Sequence, residues 1–192
     1  MNDEIDRLFA RLHALEDAIE QRLDAHRAGL RYRLAKGRAV FDAEVAQLHR
    51  RLRIGLLRYL REAPWRHVLV APVIYAVVVP IALLDLSLTV YQLACFPAWG
   101  IRRVVRGEHV VLDRHRLGYL NAIEKLNCLY CGYANGVLSF AREIAGRTEQ
   151  FWCPIRHATA IRGAHAQYRE FVDHGDAEGY RAQLEELRGK LR

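Results

Sequence analysis

Apolar positions recur every three or four residues along most of the 192-residue chain, and this spacing predicts an all-α protein. Ile5, Leu8, Leu12, Leu15, Ile19, Leu23, His26 and Leu30 form the first such stripe and predict a helix over 3–35. Asn2 or Asp3 would cap it, and acids in its first turn suit the helix dipole. Arg22 takes one apolar place, so the stripe fits either one arm of a helical hairpin or a dimeric coiled coil. Lys36-Gly37 is the expected turn. A second helix is expected over 38–62, basic on one side from Gln47 to Arg61 and leucine-rich on the other. Such a helix suits the interface of an anionic membrane, with Leu52, Leu56, Leu57 and Leu60 in lipid, or else packs on a core with its arginines solvated. Ala63-Pro64-Trp65 ends it and sets a tryptophan at interfacial depth.

The pattern then changes. From His67 to Trp99 the residues are apolar on every face, and between Arg66 and Arg102 only Asp85 is charged at neutral pH. A crossing helix needs about 20 apolar residues, so this segment is expected to enter a membrane. Arginines flank both ends: Arg58, Arg61 and Arg66 before it, Arg102, Arg103 and Arg106 after it. Positive charge marks cytoplasmic loops, so both ends are expected on the same side. Pro72 and Pro80 offer kinks and Asp85 divides the run almost evenly. A bent or re-entrant helical hairpin is therefore expected, with one long, tilted crossing as the alternative. Asp85 falls at the tip in the first case and inside the bilayer in the second, where a carboxylate is costly and a functional candidate.

Phe96-Pro97-Ala98-Trp99-Gly100 is expected to close the segment with interfacial aromatics and a turn, and residues 103–112 beyond it alternate enough for a short strand or extended loop. Asp113 is the expected cap of a helix carrying Leu117, Leu120, Ile123 and Leu126 and ending near Asn127-Cys128. A further helix is expected over 134–150, and a C-terminal helical stretch from Ala158 broken at Gly175. The domain plan is thus 1–66, a basic amphipathic helical region; 67–101, the membrane segment; and 102–192, a small helical Cys/His domain.

Composition sharpens this picture. Hydrophobic residues reach 52% and charged residues 27%, which implies segregation into an apolar stretch and charged helices. The net charge of +7 suits an anionic partner, and phospholipid fits better than nucleic acid because no recognition motif accompanies the arginines. The opening MNDEIDRLFARL lacks the apolar core of a signal peptide, so the thiols are expected in a reducing compartment.

Four cysteines remain: Cys95, Cys128, Cys131 and Cys153. Cys128-Leu-Tyr-Cys131 and Cys153-Pro-Ile-Arg-His157 make a C-x2-C and a C-x3-H pair separated by 21 residues. If the spacer helix returns the second pair to the first, Cys128, Cys131, Cys153 and His157 offer a tetrahedral shell for zinc or, alternatively, iron. His109, His115 and His165 are alternatives for the fourth place, and Gly132 and Pro154 would make the turns. Such an ion would help a small domain fold. A redox-active C-x2-C dithiol and ordinary buried cysteines are the competing readings, with Cys95 a small hydrophobe.

The runs CLYCGY and WCP resemble the metal knuckles of rubredoxin, although Arg156 stands at the fourth cysteine's place with His157 beside it. More broadly, LNAIEKLNCLYCGYANG and REIAGRTEQFWCPIRHA resemble a family of small bacterial inner-membrane proteins. That resemblance implies an inner-membrane location and supplies no activity; the basic flanks at both ends put the soluble parts on the cytoplasmic side. No catalytic signature stands out. The leading expectation is a non-enzymatic, metal-stabilised membrane adaptor with a protein partner or a second copy of itself. A membrane redox protein and an accessory subunit of a transporter, with Asp85 in the pathway, are the alternatives.

Overall fold

A computed structural model describes residues 2–28, 32–35 and 38–192. The chain is mostly helical and divides into two compact units, Met1–Gly55 with Leu117–Asn121, and Leu56–Arg116 with Ala122–Arg192.

In the first unit, α1 (Asn2–Ala28) is shorter than its apolar stripe predicts, and Leu30 and the Lys36-Gly37 turn lie outside the described residues. Instead of a second helical arm, β1 (Tyr32–Ala35) and β2 (Arg38–Phe41) pair antiparallel, with Tyr32 opposite Phe41 and Ala35 opposite Arg38. The expected 38–62 helix is therefore divided: α2 (Ala43–Leu52) begins after the strand, and α3 (Leu56–Glu62) restarts past Gly55. His49 of α2 contacts the ring edges of Phe41 at 4.8 Å and Tyr119 at 5.0 Å, which draws the 117–121 segment into this unit.

The second unit is built on two long helical runs. Helices α4 (Trp65–Ala76) and α5 (Val78–Trp99) are joined by Val77 alone, itself in right-handed helical conformation. Pro80 cannot donate to the Ala76 carbonyl and its ring crowds that oxygen, so the ladder is interrupted one turn earlier and then resumes. The chain does not fold back at Asp85, and the expected re-entrant hairpin is corrected to one helical run, Trp65–Trp99. It ends at Gly100, whose φ of +70° suits a residue without Cβ. There Ile101 N–H donates to Phe96 O at 2.8 Å and Gly100 N–H to Pro97 O at 3.2 Å, the double closure of a Schellman turn. Phe96 and Ile101 then meet in the core with Val104, Phe140, Ile144 and Leu191.

After the short α6 (Arg106–His109) and a single 3-10 turn at Arg114–Arg116, α7 runs unbroken from Ala122 to Trp152. The two helices expected over 113–126 and 134–150 are thus one, starting later than Asp113 suggests. Gly132, expected at a turn, is interior to α7, as is Gly136 one helical turn later on the face that receives the 109–112 connector. A methyl on Gly136 would stand 2.8 Å from Val110 Cα and 2.9 Å from the His109 carbonyl oxygen. These glycines admit backbone, and the packing they allow offsets their low helix propensity.

The expected C-terminal helix from Ala158 is replaced by loop, a parallel bridge between Ile155 and Val172, and a 3-10 turn at Ala166–Glu170. Gly175 has φ +88°, and Asp176 Oδ1 accepts from Gly179 N–H at 2.8 Å to cap α8 (Ala177–Gly189). Helix α8 crosses the end of α7: Gln150 donates to Leu187 O at 2.7 Å, and the Arg188 guanidinium lies 4.9 Å over Phe151.

Gly136→Ala is expected to destabilise the second unit by roughly 1–3 kcal/mol, because backbone rather than a mobile side chain must give way. Thermal unfolding of the purified chain, compared with Gly189→Ala where the added methyl meets nothing within 4 Å, measures it.

Candidate functional site

Helix α7 lies along α4–α5 and runs in the same direction. Tyr75 donates to Asn127 and meets the edge of Tyr130 at 5.8 Å; Tyr133 donates to Asp85 at 2.9 Å; Tyr91 and Thr148 share a hydrogen bond of 3.1 Å; Trp99 stacks on Phe151 at 5.7 Å. The side chains of α4–α5 that face the protein therefore form one stripe: Ala71, Tyr75, Ile81, Asp85, Leu88, Gln92, Phe96 and Trp99. From Ile81 onward that is the three-and-four spacing of a helix face, and the wider step from Tyr75 to Ile81 spans the interruption at Val77.

Leu84, Thr89, Tyr91 and Cys95 flank the stripe half-buried, and the side opposite is open. Leu69 (70% exposed), Val73, Val79, Leu83 (60%), Leu86, Val90 and Leu93 make a continuous apolar face opposite the stripe. The most apolar 18 residues of the run contain no buried residue, and among the described residues this is the one helix long and apolar enough to cross a membrane. In the preceding segments Leu52, Leu56, Leu57 and Leu60, expected to face lipid, are exposed as well. An apolar groove of about 470 Å³ adjoins this face between α3, α4 and the start of α7, lined by Tyr59, Leu60, Val68, Ile74, Ile123 and Leu126 among others.

Asp85, 8% exposed, is not at a tip but in the middle of the protein-facing stripe. Arg106 grips it with both prongs, Nε to Oδ1 at 2.9 Å and Nη2 to Oδ2 at 2.7 Å. Burial pushes the Tyr133 hydroxyl up, and the Asp85 carboxylate adds to the rise, so Tyr133 serves as a neutral donor. Gln92 closes a second polar contact, accepting from Val104 N–H at 3.0 Å and donating to Val104 O at 3.4 Å. Each buried polar group on α5 thus has a partner in the strap that follows it.

The cysteines are not gathered. Cys128 and Cys131 lie inside α7, and Cys153 N–H still bonds Glu149 O at 2.8 Å, extending the same helical ladder. At ~1.5 Å per residue, Cys153 stands roughly 33 Å along the axis from Cys131. The four-ligand site expected from Cys128, Cys131, Cys153 and His157 is therefore not assembled, because the spacer continues straight instead of returning. His157 lies past the helix, its ring stacked on Tyr168 at 6.1 Å. The alternatives for the fourth place are scattered too: His109 bonds Ser139 at 2.9 Å, His165 bonds Glu149 at 2.8 Å, and His115 follows the connector. Among the described residues no three His, Cys, Asp or Glu side chains converge as metal ligands would. Burial, helped by the Glu149 carboxylate, also pushes the Cys153 thiol up, which disfavours a reactive thiolate.

One polar cluster is not apparent from the sequence. His109, Ser139, Arg142, Glu143, His165 and Arg169 line an open cleft of about 340 Å³. Burial alone would push Glu143 up, but hydrogen bonds from Arg147 at 2.8 Å and Gln167 at 2.9 Å outweigh it and hold the carboxyl below its ordinary range. The cleft's residues come from the end of α6, from one turn of α7 and from residues 164–169, three segments distant in sequence. Comparison of the chain with protein-family models, characterised proteins and solved structures yields no match.

Two measurements test these contacts. In a double-mutant cycle of Asp85→Asn and Arg106→Gln, unfolding free energies are expected to show coupling of about 1–3 kcal/mol; additive effects would mean that the paired geometry contributes nothing. Because Glu143 is depressed in the folded state, its contribution is present above the ordinary carboxylate pKa of about 4.3 and lost as pH falls through the lower folded value. Glu143→Gln should therefore flatten the acid limb of the stability–pH curve and leave its alkaline limb unchanged.

Proposed function

We propose that this chain is a membrane-attached helical adaptor, held to phospholipid by α4–α5 and its basic flanks, and that it is not an enzyme. The observation that carries the reading is the uncovered apolar face from Val68 to Leu93. Some dozen large apolar side chains there are more than a third exposed. Even at about half the ~1.5–3 kcal/mol of a fully buried side chain, leaving them in water forgoes on the order of 10–20 kcal/mol. That rivals the ~5–15 kcal/mol stability of a whole domain, and soluble monomers rarely expose so large an apolar patch.

The basic flanks favour lipid over a second protein as the cover of this face. Arg58 and Arg61 precede the run, Arg66 stands in its first turn, and Arg102 and Arg103 follow it, all exposed, where anionic headgroups would meet them. The adaptor half of the reading draws on α1, whose Leu8, Leu12, Leu15, Ile19 and Leu23 are exposed at helical spacing and suit pairing with a helix of a partner or a second copy. Asp85, fully engaged by Arg106 and Tyr133, serves in this reading as a structural tie and not as part of a transport pathway.

Fractionation of cells expressing the full chain tests the attachment. The unsubstituted protein is expected in the membrane fraction, and Leu83→Arg/Leu86→Arg is expected to shift it to the soluble fraction. A soluble unsubstituted protein, or a doubly substituted one that stays bound, would overturn the reading.

A further inference from the structure

Resting on that reading, we infer that the α4–α5 run lies in the plane of the membrane, half-sunk along its length, and does not cross the bilayer. Four observations lead there.

The first is length. Trp65–Trp99 is 35 residues, about 52 Å at ~1.5 Å per residue, against a hydrocarbon core of about 30 Å. Crossing along its whole length would need a tilt beyond the usual range of about 0–40°.

The second is the cover provided by α7. It accompanies the run from Tyr75, beside Asn127 and Tyr130, to Trp99, stacked on Phe151. Only the stretch before Tyr75 lies beyond these contacts, roughly 15 Å of helix, half of what a crossing requires.

The third is charge at the same level. Arg106 is clamped to Asp85, midway along the run. Glu124 and Lys125 stand less than a turn before Asn127, which is level with Tyr75. Arg147, bonded to Glu143 and to the Arg102 carbonyl at 2.7 Å, is level with Tyr91. Any 20-residue window placed across the bilayer would carry one of these groups into hydrocarbon, where charged side chains are costly.

The fourth is the shape of the apolar face. Leu69, Val73, Val79, Leu83, Leu86, Val90 and Leu93 point away from the protein-facing stripe along the whole run. A helix lying flat submerges all of them together and leaves α7 and the charged connector in water. Both arginine clusters then meet the headgroups of one leaflet, which resolves the contradictory orientation that basic flanks at both ends impose on a single crossing.

The test places a fluorophore at three points on the exposed face of the full chain. On a cysteine-free background (Cys95→Ala, Cys128→Ala, Cys131→Ala, Cys153→Ala), single Leu69→Cys, Leu83→Cys and Leu93→Cys variants are labelled with a polarity-sensitive dye. They are bound to vesicles of phosphatidylcholine and phosphatidylglycerol carrying nitroxides at shallow or deep acyl positions. The in-plane helix is expected to give the same blue shift and the same quenching ratio at all three sites, with shallow nitroxides quenching more. Deep quenching at one site and shallow at the others would overturn the inference while leaving membrane attachment intact. Absence of lipid quenching at every site would sink both. Polarised infrared spectra of the unsubstituted protein on oriented bilayers measure the same orientation without substitution: amide dichroism must place the parallel α4–α5 and α7 axes along the bilayer plane, and axes along its normal would refute the proposal.

Discussion

The second unit depends on α7 remaining one uninterrupted helix beside α4–α5. A 31-residue helix cannot bring its own two ends together, so whatever it organises must be organised along its length. It does this on two faces: tyrosines and aromatic rings engage α4–α5 on one, and Gly132 and Gly136 admit the connector on another. The connector is thereby held against the helix that it leads into, and the core of Phe96, Ile101, Val104, Phe140 and Ile144 closes at the far end.

Polar contacts set the register of this packing. Apolar side chains alone would tolerate sliding of one long helix along another, since one leucine contact resembles the next. A bidentate carboxylate–guanidinium pair and a two-way amide contact do not tolerate it, because a displaced partner would leave a buried polar group unsatisfied. Asp85 and Gln92, seven residues apart on one face of α5, are thus positioned to lock both the rotation of α5 and the path of residues 104–106. The carboxylate that sequence reasoning marks as a functional candidate has this structural use.

The same helix is divided lengthwise in chemistry. One stripe carries all its buried polar groups and faces protein; the opposite side is mainly apolar and faces outward. A segment that reads as uniformly greasy is therefore two-sided once folded, and its two-sidedness comes from the neighbour it acquires, not from its own periodicity. Its membrane behaviour follows from that neighbour as much as from its hydropathy.

Sequence by itself determined the helical class, the apolar run from residue 67 to 99 and its basic flanks, because these depend on local periodicity and composition that no partner can alter. The glycine turn after Trp99 was legible for the same reason: proline, aromatic and glycine act within one turn of chain. Only the tertiary structure decided whether Gly132 breaks a helix or receives a strap, whether Tyr32–Ala35 extends a helix or pairs as a strand, and whether three cysteines and a histidine converge. Those outcomes turn on contacts between residues distant in sequence, where a close backbone approach can outweigh a residue's intrinsic preference. The spacing C-x2-C with C-x3-H is compatible with a shared ion only if the spacer bends, and packing against α4–α5 keeps it straight.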